Sequence, residues 1–199
     1  MERFVHRHVD REYSRRDGAC RIDRLVEKGK ALGQPAVAVT DHGVMYGAIE
    51  VDHAAKKAGI KPIIGCEVYV APRTRFDKQH RVDSSPYHMV LLCENEEGYQ
   101  NLIKLVSAAY IEGFYNKPRV DNDLLRQHHK GLICLSACLA GRIPRMLSAG
   151  DYAAADQAVK EYVDIFGREN FFIELQNHGI EEQKRILPQL IKLARENEV

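Results

Sequence analysis

Nothing in the bulk properties of this 199-residue chain points to a membrane, a secretory route or a nucleic-acid surface. No stretch approaches the roughly 20 consecutive apolar residues that a bilayer span needs. The N-terminus carries Arg and His where a signal peptide would need an apolar segment. The cytoplasm is therefore the expected compartment. Charge of one sign is also missing: 29 Lys and Arg stand against 28 Asp and Glu, so any contact with nucleic acid has to be local. Cysteine is sparse and odd in number. The 5 thiols (Cys20, Cys66, Cys93, Cys134, Cys138) lack the dense spacing of a secreted scaffold, and those inside apolar runs are expected to be reduced and buried. Internal repeats, low-complexity tracts and linkers are absent, and the longest irregular segment is 71–87.

What is present is an alternation of short apolar runs and amphipathic stretches. A hydrophobic content of 45% is enough to bury a core, and residues 1–199 read as one domain. Period-two and apolar runs predict strands at 4–9, 36–40, 62–70, 88–93, 131–136 and 170–175. Helical spacing predicts helices near 21–33, 44–58, 96–112, 121–128, 140–149, 152–166 and 180–196. Strands rich in Val, Ile and Leu, separated by helices, predict an α/β fold with a parallel sheet buried on both faces, either doubly wound or closed as a barrel. The polar residues favour the barrel, because ligand-type side chains recur at the ends of several successive strands.

Those side chains begin with His6, His8 and Asp10, which alternate along one run and share a face if it is extended. Asp17, His42 in Asp41-His42-Gly43, Glu67 within the third apolar run and His88 at the start of the fourth extend the set. Imidazoles and carboxylates gathered in this way suit divalent metal ions. Hydrolysing a phosphodiester needs a nucleophilic hydroxide at neutral pH and positive charge beside the developing oxyanion, and clustered divalent ions supply both. In that chemistry His8, Asp10 and His42 hold one ion. Glu67, with two oxygens, bridges two, and Asp17 ligates or orients a water.

Other candidates carry blander expectations. Asp41 is expected to cap the helix at 44–58, His6 to support the ligands from behind, and His178 to hydrogen-bond at a helix entry. Arg73, Arg75 and Lys78 in the long irregular segment, and Arg119 after Lys117-Pro118, are either solvated or contact the phosphates of a DNA strand.

Several runs together resemble a known family. They are Glu12-Tyr13-Ser14 with Asp17-Gly18-Ala19, Thr40-Asp41-His42-Gly43, Gly59-Ile60-Lys61-Pro62-Ile63-Ile64-Gly65-Cys66-Glu67, Glu112-Gly113-Phe114-Tyr115-Asn116-Lys117-Pro118-Arg119, Leu135-Ser136-Ala137-Cys138-Leu139-Ala140-Gly141 and Glu174-Leu175-Gln176-Asn177-His178-Gly179. The chain resembles the polymerase-and-histidinol-phosphatase (PHP) domain of bacterial replicative DNA polymerase III alpha subunits over essentially its whole length. The resemblance implies a distorted seven-stranded β/α barrel with a metal cluster at the strand ends, and adds Cys138 to the ligand set. It implies zinc, manganese or magnesium as cofactor, and 3′–5′ exonuclease or phosphoesterase chemistry in some members. As partners it implies a DNA primer end, the other modules of the alpha chain and a proofreading exonuclease subunit.

The chain departs from the family pattern in two places. Aligned on Asp17, the family's His-x-His pair falls on His8 and on Asp10, so a carboxylate stands where the second imidazole would be, which moves preference toward harder ions. Arg7, Arg11, Arg15 and Arg16 surround that motif, and would clamp a phosphate or replace metal charge. The family's last motif, an Asp-x-His on the seventh strand, has no counterpart before Val199, which reads as a barrel truncated before its last strand. A degenerate, noncatalytic domain that supports polymerase folding and the binding of neighbouring modules or a proofreading subunit is the alternative expectation, and a free-standing metal-dependent phosphatase is a weaker one.

Overall fold

The 10-residue strand β2 (Lys61–Val70) organises the molecule, a computed structural model that describes residues 4–14 and 18–199. Its first half pairs in parallel with β1 (Ala36–Val39), Ala36 opposite Lys61 and Val39 opposite Ile64. Its second half pairs on the opposite edge with β3 (Tyr87–Cys93), antiparallel, and on the β1 side with the short β4 (Arg119–Val120), parallel. The sheet continues through β5 (Leu132–Leu135) to β6 (Phe171–Phe172), giving six strands among the described residues in the order β1-β2-β3-β5-β6, with β4 on β2.

The fold is mixed α/β, and β3 is the strand that breaks the all-parallel expectation. It runs against both β2 and β5, whereas β1, β4, β5 and β6 share the direction of β2. The reason lies in residues 71–86, which contain no helix. A parallel return needs a crossover, usually a helix; without one the chain re-enters beside the end it has just left, Tyr87 opposite Val70. His88 therefore starts its strand at the same end of the sheet at which Glu67 nears the finish of its own.

Both faces of the sheet are covered. On β3, Met89 and Leu91 join the large core built with Leu102, Leu105, Leu125 and Phe171, while Val90 and Leu92 face the other way with Leu135 and Ala137. Helix α1 (Ile22–Ala31) and α2 (Ala48–Ala58) cover β1, with Ile22, Val26, Val51 and Ala55 closing on Val37 and Val39. The remaining helices are α3 (Glu96–Ile111), α4 (Asn122–His128), α5 (Arg142–Ser148), α6 (Tyr152–Phe166) and α7 (Glu181–Asn197). Asn95, Asp121 and Asp151 cap α3, α4 and α6 through the backbone N–H of Gly98, Leu124 and Ala154.

Two further sequence expectations need correction. Residues 4–9 are not a strand: the segment is tied to the end of β1 by Thr40 N donating to Val9 O (3.0 Å) and Val9 N donating to Thr40 Oγ1 (2.8 Å), a side-chain bond where a ladder would use backbone. Asp41 does not cap α2, which begins at Ala48 with Gly47 as its N-cap. The delay makes room for Arg11, because a Cβ on Gly47 would lie 2.2 Å from the Arg11 guanidinium. Strand β4, two residues long, is too short for periodicity to reveal.

Candidate metal centre

Three strands that point their C-terminal ends at this side of the sheet are followed by a polar residue there, β2 contributes from within and β3 from near its start. His42 follows β1, Glu67 lies in β2, His88 opens β3, Cys138 follows β5 and Glu174 follows β6. The extended segment 8–11 brings His8 and Asp10 to the same place. Glu67 is the hub: it is 1% exposed, and its two oxygens face different neighbours. Oε1 lies 2.5 Å from His88 Nδ1 and 3.8 Å from Cys138 Sγ; Oε2 lies 3.0 Å from His42 Nδ1 and 3.2 Å from His8 Nε2. Asp10 Oδ2 stands 3.6 Å from His42 Nε2. The result is two ligand groups, His42–Glu67–His88 and His8–Asp10–Glu67, with the ligand atoms of each within 4.8 Å of one another.

The surrounding residues fix this arrangement. Arg11, buried, pairs with Asp41 through its guanidinium and donates its backbone N–H to Asp41 Oδ1 (2.8 Å). Ser14 Oγ donates to Asp41 Oδ1 (3.1 Å), lies 3.3 Å from Asp10 Oδ1, and accepts the backbone N–H of His42 (3.0 Å). Asp41 thus ties the N-terminal segment to the end of β1. On the other side, Glu174 Oε1 holds His8 Nδ1 (2.8 Å) and accepts from Gln176 Nε2 (2.6 Å), while Gln183 of α7 reaches Gln176 (3.4 Å) and accepts the backbone N–H of His178 (2.8 Å).

Charge in the cluster is balanced by protons. Burial alone would raise the Glu67 carboxyl, but hydrogen bonds from His8 and His88 override it and hold the group well below the usual carboxylate range. Burial would lower His8; its bonds to Glu174 and Glu67 win and push it up to about 11. Burial likewise opposes protonation of His88, and Cys138 and Glu67 raise it to about 9. Asp10 is raised, first by burial and also by the Glu67 charge, against the pull of His42. Imidazole and carboxylate donors that keep protons only to neutralise one another suit a divalent cation, which would displace those protons. Glu174 Oε2, buried and with no hydrogen-bond partner among the described residues, is a further acceptor in the same place.

The cluster forms one wall of an open cavity of about 1040 Å³ that lies between the N-terminal segment and the residues after β6. His6 and Arg7 line it and are exposed, as is His178, so His6 and His178 stand at the rim rather than against the ligands. Asp17, Arg15 and Arg16 lie outside the described residues. The basic residues considered for phosphate contact are elsewhere. Arg73 pairs with Asp83, and Arg75 with Asp121 and Glu112. Arg119 is fully buried and donates to the carbonyls of Gly113, Asp83, Arg75 and Asp77; Lys78 is exposed. Sequence reasoning missed Glu174, Ser14 and Gln176. Glu174 carried a legible signal, a carboxylate at the end of an apolar run, as Glu67 does.

Among the described residues no helix is long and apolar enough to cross a membrane. The chain is 52% identical over 192 residues to the DNA polymerase III subunit alpha of Treponema pallidum, covering 96% of this chain and 16% of that protein. It is 43% identical over 197 residues to that of Thermus aquaticus, covering 97% of this chain and 16% of that one. It therefore spans 16% of the length of these curated relatives. A solved structure from Bifidobacterium adolescentis, described as a metal-dependent phosphoesterase, shares the fold: the TM-score is 0.56 at 14% identity, over 98% of this chain and 83% of that one. The model of the PHP domain matches residues 6–178, and the chain belongs to the PHP domain family.

Proposed function

We propose that this chain is the PHP region of a DNA polymerase III alpha-type protein, and that its Glu67-centred cluster binds divalent metal ions for phosphodiester hydrolysis at a primer 3′ end. The observation that carries the reading is the sharing of Glu67 by both ligand groups at the wall of an open cavity. His42, Glu67, His88 and Cys138 would hold one ion and His8, Asp10 and Glu67 another. Bound ions supply Lewis acidity and a nucleophilic hydroxide at neutral pH. The chain's own residues do the rest. Glu174 and Gln176 hold the His8 ring, Ser14 fixes the loop that carries His42, and the cavity admits the end of an unpaired strand. Oxygen from Asp10 favours manganese or magnesium and the Cys138 thiol favours zinc, so the donor set is chemically mixed. The polymerase relatives favour this reading over a free-standing phosphatase, and it carries the cytoplasm and the replication machinery with it.

The test is release of nucleotides from a 3′-labelled single strand with manganese or zinc supplied. Chelator-sensitive hydrolysis that disappears in His42→Ala supports the reading; hydrolysis unaffected by either change refutes it. A second reading, a scaffold for neighbouring polymerase modules, is favoured by an exposed aromatic surface. Tyr13 packs edge-on against Tyr46 (centroids 6.1 Å apart), and Tyr110 stacks with Phe114 (6.2 Å), all four at least 38% exposed. Loss of polymerase assembly in Tyr46→Ser, with metal binding intact, would separate the two roles.

A further inference from the structure

An imidazole turns easily about its Cβ–Cγ bond, so a ligand histidine needs a neighbour to fix its ring plane. His8 is oriented in the usual way, by the Glu174 carboxylate on its other ring nitrogen. His42 and His88 also meet an aromatic wall. Tyr69 lies two residues after Glu67 on β2, on the same face of the strand, and is 5% exposed. Its ring is nearly parallel to His42 (centroids 6.2 Å apart, 14° between planes) and edge-on to His88 (5.1 Å, 82°), within the range over which aromatic pairs attract.

Three features hold that ring in place. Lys117 Nζ sits 4.8 Å from the Tyr69 ring centroid and donates to the phenol oxygen at 3.2 Å. Pairing of Tyr69 with Arg119 anchors the Lys117-Pro118 turn beside β2. Gly43, next to His42, has φ +66°, and a Cβ there would lie 3.1 Å from Tyr69 Cε2 and 3.0 Å from Pro118 Cγ. Glycine thus lets the tyrosine and the proline close on the His42 loop.

We infer that Tyr69, backed by Lys117 and admitted by Gly43, is a positioning residue that sets the ring planes of His42 and His88. It thereby tunes one ligand group, His42–Glu67–His88, and leaves His8–Asp10–Glu67 to Glu174. The inference rests on the metal-binding reading above and deepens it, assigning a role to a residue that touches no ion. The aromatic wall adds no ligand; it makes the two groups unequal.

Cobalt(II) titration, followed by calorimetry and by visible absorption, tests it in the wild type, Tyr69→Leu, Tyr69→Phe and Lys117→Met. Two classes of site are expected in the wild type. Tyr69→Leu is expected to weaken one class about tenfold and change its absorption band, as loss of a ligand's outer support typically does, while the other class stays within about twofold. Tyr69→Phe keeps the ring and is expected to restore most of the affinity, and Lys117→Met should fall between them. Should the leucine variant fail to fold, the last two decide the matter by the same one-class criterion. Imidazole ¹⁵N signals of metal-free protein give a second readout: those of His42 and His88 should move in the variants while that of His8 does not. Equal weakening of both classes, or none in any variant, overturns the inference. Wild-type protein that binds no cobalt overturns the metal-binding reading and the inference with it, whereas normal wild-type binding with unselective variants removes the inference alone.

Discussion

Two buried polar clusters lie at opposite ends of the chemistry this chain displays. Around Arg119, the guanidinium is fully buried and its bonds end on four backbone carbonyls, from Gly113, Asp83, Arg75 and Asp77. Around Glu67, titratable groups face one another, and the charge is balanced by protons on His8 and His88. The first cluster is complete in itself and locks residues 73–83 to the turn before β4. The second is complete only with cations in it, whether protons or metal. Sequence alone suggests a metal-ligand role for Glu67 and, for Arg119 after the Lys117-Pro118 turn, either a phosphate contact or a solvated position. What separates them is whether the partners are fixed backbone acceptors or exchangeable side-chain donors.

The largest expected effect breaks the closed cluster. Arg119→Ala removes four buried hydrogen bonds and strands their carbonyls, which should cost about 3–5 kcal/mol in urea unfolding. Calorimetry should find metal affinity of the folded fraction unchanged, because none of those carbonyls belongs to the ligand groups.

The next prediction concerns pH. With folded-state values of about 9 for His88 and about 11 for His8 against about 6.5 unfolded, the protonated pairs stabilise metal-free protein fully below pH 6.5. That contribution is lost as pH rises above 6.5, through about 9 for His88 and about 11 for His8. The His88 pair alone should cost metal-free protein about 3 kcal/mol in denaturant melts between pH 6.5 and 9.5, and the His8 pair adds a further loss of the same sign. With saturating metal the sign reverses, because the ion takes the place of the protons and binds more tightly as pH rises. Stability independent of pH over this range would contradict the proton-filled description.

Smaller changes sharpen the contrast within the Glu67 cluster. Glu174→Gln removes the charge that orients His8 and should weaken the His8–Asp10–Glu67 group about tenfold, near 1.4 kcal/mol, in metal titration. Asp10→His should shift ion preference by a few-fold toward zinc over manganese, measured by competition, since it exchanges a hard oxygen for an imidazole.

Much of this was legible in the sequence, for reasons that vary by element. Helices such as α3 and α6 are legible from apolar periodicity alone. The direction of β3 does not follow from its apolar content, which reports burial and not strand sense; the helix-free stretch before it carries that signal. His42, Glu67, His88 and Cys138, each singled out from its place near a strand end or in a motif, are brought together by the sheet, and the N-terminal segment tied to β1 adds His8 and Asp10. Asp41 looked like a helix cap because it precedes a helical pattern; its true partner, Arg11, lies 30 residues away, beyond the reach of local rules. Glu174 carries a local signal at the end of an apolar run, but its partner His8 lies 166 residues away, beyond the reach of local rules.

The central claim, that one carboxylate serves two metal groups, is tested most directly by calorimetric manganese and zinc titration of the wild type beside Glu67→Gln. Two bound equivalents are expected in the wild type, with both weakened together in the variant, each by about a hundredfold, near 2.7 kcal/mol. Loss of a single equivalent with the other intact, or a wild type that binds no metal, would contradict it.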